Sequence, residues 1–110
     1  MGVIKHNCII VTDWKRDELK LSHEKAIEVF GEMVSPIVQS PYNGYLSFFI
    51  ASDGSKEGWE DSDVYDKKRR EFCDFLDDNF IPFIDIGYGE TDNGNPGSPI
   101  IERVEKKRNN

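Results

Sequence analysis

The chain has 110 residues, of which 37% are hydrophobic and 32% charged. One domain accounts for that length, and the mix is too apolar for a disordered chain and too polar for a membrane-embedded one. Fourteen basic against 21 acidic residues leave a net charge of −7, which argues against direct nucleic-acid binding and against an anionic membrane surface, because both are bound by neutralising phosphate.

Val3–Thr12 reads as a first strand, with Cys8–Val11 apolar on both faces and therefore central in a sheet. Thr12 or Asp13 can cap a helix in which Trp14, Leu19, Ala26, Ile27, Phe30 and Met33 recur at helical spacing. Val34–Ser40 is a short β-type segment that Pro36 confines to a sheet edge or a strand start. Pro41-Tyr42-Asn43-Gly44 has the composition of a turn. Along Tyr45–Ser52 the side chains alternate, with Leu46, Phe48 and Ile50 on one face and Tyr45, Ser47 and Phe49 on the other.

After a loop at Asp53–Gly58, Asp61 or Ser62 opens a second helix that runs to about Asn79. Its apolar positions are Val64, Tyr65, Phe72, Cys73, Phe75, Leu76 and Phe80. Ile81–Gly89 is a further strand, and Thr91–Pro99 is a loop rich in Gly, Asn and Pro. Ile100–Val104 forms either a fifth strand or a packed tail, and 105–110 fray. The order β-α-β-β-α-β is that of the ferredoxin-like split βαβ arrangement. The expectation is one α+β domain over 1–104: an antiparallel sheet, two helices on one face, and an extra C-terminal segment.

Cys8 and Cys73 each sit in an apolar run and read as buried free thiols in a reducing, cytoplasmic compartment. The N-terminal residues lack an apolar signal core, and no stretch approaches the roughly 18 apolar residues of a membrane span. No Cys/His cluster has metal-ligand spacing. The Asp53–Asp63 loop echoes a calcium loop in its oxygens, yet Val64 stands where the bidentate glutamate belongs. No cofactor, metal or catalytic residue is therefore assigned. His6 with Asp13 or Asp85 is the one acid–base pairing left open. Lys67-Lys68-Arg69-Arg70 reads as a solvated face, paired with Asp63 and Asp66 one turn earlier.

Two features suit a binding surface. The Tyr45/Phe49 face of the third strand points away from the helices and can stack or self-associate. Residues 51–110 hold 15 acidic against nine basic residues. Glu57, Glu60, Asp61, Asp74, Asp77 and Asp78 form the acidic candidate surface, which would steer toward a basic partner.

Gly44 and Tyr45 on the third strand resemble the glycine-aromatic pattern of the RNA recognition motif, although Leu46 and Ser47 depart from it. The strand order also resembles the dimeric α+β barrel monooxygenases, with Asn7 and Trp59 as loose matches to residues of haem-degrading members. That resemblance implies a pocket at the sheet face, while the second half of this chain contains no histidine. Gly44–Ile50 through Asp53–Trp59 is similar to a segment of small uncharacterised bacterial and phage proteins, which implies a small accessory or inhibitor protein. The function expected is non-enzymatic protein–protein binding, by a foreign partner or by self-association through the open sheet face. The alternative is a barrel-type ligand-binding protein or enzyme.

Overall fold

Alternation along the first strand decides the architecture. In β1 (Ile4–Asp13), Asn7, Ile9, Val11 and Asp13 are buried, whereas Cys8, Ile10 and Thr12 point to the opposite face and keep contact with solvent. The computed structural model describes residues 4–54, 60–90 and 96–105. After β1 come α1 (Arg16–Phe30), a 3-10 turn at Gly31–Met33, β2 (Val38–Gln39), β3 (Leu46–Ile50), α2 (Glu60–Asp78), β4 (Phe83–Glu90) and β5 (Pro96–Glu105). The protein is α+β, and its described residues form two α-helices and one antiparallel sheet ordered β2-β3-β1-β4-β5.

The segment left open between strand and tail is a strand: Ile100 and Ile101 lie in β5, paired with Gly87 and Ile86. A register shift between Asp85 and Ile86 bends this outer ladder. Pro36 precedes an edge strand as expected, since β2 pairs only with β3 among the described strands.

Both helices bury their stripes against one face of the sheet. Leu19, Ala26 and Phe30 of α1 and Phe72, Cys73 and Leu76 of α2 join Ile9, Val11, Leu46, Phe48, Ile50, Ile81 and Phe83 in a single core. Phe30 meets Phe72 edge-on at 5.7 Å between ring centroids, which ties the two helices together beyond simple burial.

Several expectations need correction here. Cys8–Val11 is not buried on both faces, because both helices lie on one side and leave Ile10 40% exposed on the other. Trp14 precedes α1 and is exposed, and Ile27 flanks the buried Leu19-Ser22-Ala26-Phe30 stripe. Asp13 does not cap α1 at its N-cap position, which is Lys15. The Asp13 Oδ1 accepts from the Lys15 N–H at 3.1 Å, just ahead of the helix. In α2 the buried residues include Ser62 and Arg69, and Val64 falls on the solvent side.

Gly87 lies opposite Asn7 on the neighbouring strand, where a Cβ would collide with the His6 carbonyl oxygen and come within 2.7 Å of Asn7 Cα. The strands approach too closely there for any side chain.

Candidate functional site

The uncovered face of the sheet is built by cross-strand register. Ile10 in β1 pairs with Phe49 in β3 on one side and with Ile84 in β4 on the other. The result is an apolar row across three strands. Next to it Cys8 pairs with Ile86. On the other flank Thr12 pairs with Ser47, their hydroxyls 3.0 Å apart, and Ser47 in turn pairs with Val38. None of these side chains is charged. Ile10, Phe49 and Val38 are 40%, 47% and 65% exposed. Isolated exposed apolar residues are ordinary, but a contiguous row marks a contact surface.

A groove of about 470 Å3 runs along this face, floored by Cys8, Ile10, Ser47 and Phe49 and walled by Ser35, Pro36 and Val38. Its wall is fixed by one serine. The Ser35 N–H donates to the Phe49 carbonyl at 2.9 Å, and the Phe49 N–H donates to Ser35 Oγ at 2.9 Å. Ser35 Oγ donates to the Pro36 carbonyl, and His23 Nε2 lies 2.9 Å from the Ser35 carbonyl oxygen. Ser35 thus does the work of a strand residue where Pro36 prevents a regular ladder.

Within the groove, burial pushes the Cys8 thiol above its usual range, and the Asp85 carboxylate adds to that. A thiol so shifted is a poor nucleophile at neutral pH. Cys73 is buried in the core, and neither cysteine is in a disulfide.

Of the two aromatic candidates, Phe49 lies on the apolar row. Tyr45, 42% exposed, stands one residue before β3 and four residues away. That separation is about 13 Å along a strand, so the two rings flank different parts of the face. The acidic candidates divide into two groups. Glu60 and Asp61 are exposed in the first turn of α2, while Asp74, Asp77 and Asp78 lie near its end, with Asp77 half-buried. Fourteen residues of helix, about 21 Å, separate Glu60 from Asp74. Lys67, Lys68 and Arg70 are exposed between them. Glu57, Trp59 and the middle of the calcium-like loop, residues 55–59, lie outside the described residues.

Arg69 overturns the reading of the basic run as wholly solvated. It is 6% exposed and reaches under α2. Its Nη1 donates to Asp85 Oδ2 at 2.7 Å and its Nη2 to Asp66 Oδ1 at 2.6 Å. Asn7 Nδ2 sits 3.4 Å from the other Asp85 oxygen. The Asp66 partner is three residues away, on the buried side, in place of Arg70 four residues on. Asn7 and Asp85 therefore point to the helix face, whereas His6 lies in the opposite phase of β1 from Asn7 and Asp13. The sequence did hold the signal. Asp85 shares the inward phase of Phe83, and an acid buried in that phase requires a cation. Nearby, the Tyr65 hydroxyl donates to the Ala51 carbonyl, closing α2 onto the end of β3.

Among the described residues no helix is long and apolar enough to cross a membrane. No protein-family model matches the chain, and neither a curated protein nor a solved structure does.

Proposed function

We propose that this protein works by protein–protein contact through the open face of its sheet, without chemistry of its own. The observation that carries the reading is the uncharged Phe49–Ile10–Ile84 row, left uncovered while the opposite face is packed under two helices. In a chain with 32% charged residues, such a face is hard to explain as a solvating surface. We read the scaffold as ferredoxin-like, its β2-β3-β1-β4 core extended by β5 at one edge. Two cysteines outside any disulfide fit a reducing compartment such as the cytoplasm.

The test compares complexes formed in the producing cell. Wild-type protein is expected to elute in a complex heavier than one chain. An Ile10→Ser/Phe49→Ser variant should elute at the mass of one chain with an unchanged melting temperature. Reversing Asp74, Asp77 and Asp78 to lysine should leave the complex intact. Loss on charge reversal, with the sheet variant unaffected, would move the function to the acidic end of α2.

A second reading is a small apolar ligand in the groove, whose volume lies within the range of small-molecule sites. It is favoured if the chain stays monomeric and an apolar dye is displaced from it by a small molecule.

A further inference from the structure

We infer that the partner on the open sheet face is a second copy of this chain, docked sheet to sheet. The inference rests on the protein-contact reading above and names its partner.

Charge is the first argument. Each copy carries a net −7, so two copies repel at most orientations. The open face is where that repulsion is least, because Cys8, Ile10, Thr12, Phe49, Ile84 and Ile86 are all neutral. A basic foreign partner would gain nothing there, and its complementary surface is the acidic helix α2.

Area is the second argument. Strands of ten, two, five, eight and ten residues make up the sheet. At a rise of about 3.3 Å and a spacing of about 4.8 Å they project to about 550 Å2 per copy. Two copies would bury about 1,100 Å2 before side-chain relief is counted, above the roughly 1,000 Å2 that a specific interface needs.

Symmetry is the third. A two-fold contact must be self-complementary, and the apolar row is centred on Ile10 in the middle strand of the five. An axis near Ile10 lays Phe49 of one copy toward Ile84 of the other, in the manner of two sheets packed about 10 Å apart.

The test is sedimentation of the full chain from about 1 to about 300 μM, a span that brackets weak and firm dimers of this area. A mass of two chains is expected, with association several-fold tighter at about 300 mM than at about 50 mM salt, because screening removes like-charge repulsion. Phe49→Asp should weaken association about 30-fold or more. Phe49→Lys should do the same, which excludes added negative charge as the cause. Both variants should keep the wild-type circular dichroism and melting temperature, since Phe49 is half-exposed. A wild type that is monomeric throughout overturns the second copy as partner, and a dimer that weakens with salt overturns the neutral sheet face as its contact. If that monomer still forms the Phe49-dependent complex in cells, protein contact through this face stands with a foreign partner. A dimer that tolerates both Phe49 variants overturns the inference and the open-face reading together.

Discussion

Arg69 is the residue whose role changes most between sequence and structure. Its guanidinium lies between the buried Asp85 and the half-buried Asp66, 2.7 and 2.6 Å from their oxygens. Taking these charges out of water is costly, and only the paired geometry offsets it. Arg69→Met should therefore cost about 3–5 kcal/mol, read as a lowered urea midpoint, because Asp85 is left charged in the interior. Adding Asp85→Leu should recover most of that loss, leaving mainly the weakened Asn7 contact. A single Arg69→Met variant as stable as the wild type would mean that Asp85 does not depend on this partner. Spacing alone places the whole basic run on a solvated face, since Lys67 and Arg70 have Asp63 and Asp66 one turn earlier. Strand phase carried the better information. Asn7, Ile9, Val11 and Asp13 alternate inward on β1, and Phe83 and Asp85 do so on β4. Polar residues in a buried phase point to a partner from the covering helix, and Arg69 shares the buried stripe of α2 with Phe72, Cys73 and Leu76.

At the scale of elements, the end of α2 shows how a boundary can be closed by an unfavourable residue. Phe80 adopts φ 56°, the left-handed conformation that usually falls to glycine. Its N–H donates to the Asp77 carbonyl at 3.1 Å, and the Ile81 N–H donates to the Leu76 carbonyl at 2.9 Å. These two bonds are the Schellman pair, with Ile81 and Leu76 both fully buried as its apolar contact. The phenyl ring is 55% exposed and contributes little burial in return for the strain. Phe80→Gly should stabilise the fold by about 0.5–1 kcal/mol, measured as a raised melting temperature. A lowered melting temperature would show that the ring's packing outweighs the backbone strain. Phe80 continues the apolar spacing of Phe72 and Leu76 yet lies beyond the helix, which ends at Asp78. The long elements were legible because amphipathic spacing reports burial directly, as in β3, where the Leu46/Phe48/Ile50 phase is inside. β2 was legible as an edge segment but not in its extent, because only two residues pair and a serine side chain completes the pairing that Pro36 interrupts. The open-face row was half legible. Alternation in β3 exposed Phe49, but its alignment with Ile10 and Ile84 is a register between strands that no local pattern encodes. The continuous apolar run Cys8–Val11 predicts burial on both faces, but the two helices cover only one of them and leave Ile10 exposed on the other.

For the molecule as a whole, the groups with raised proton affinity tie stability to alkaline pH. Tyr65 spans from α2 to the Ala51 carbonyl at the end of β3. Its phenol is pushed well above the usual range, first by burial and then by the Asp53 carboxylate, with Arg69 acting the other way. The Cys8 thiol is raised for the same leading reason, burial. The folded chain therefore holds protons that the unfolded chain releases at its ordinary values of 9.0 for the thiol and 10.0 for the phenol. Stability from this source is intact below those values and is lost as pH rises past them. Both groups are only partly buried, so water reduces the effect below that of a fully buried phenol. Urea midpoints taken from pH 7 to pH 11 should hold steady to about pH 9 and then fall. Tyr65→Phe should start about 1 kcal/mol lower at neutral pH, having lost the bond to Ala51, and should then show a flatter alkaline decline. Cys8→Ala should remove the earlier part of the decline while leaving the later part. A Tyr65→Phe variant that declines as steeply as the wild type would place the alkaline sensitivity in the lysines and in global charge repulsion. The contact between α2 and the end of β3 would then hold the fold together by packing alone.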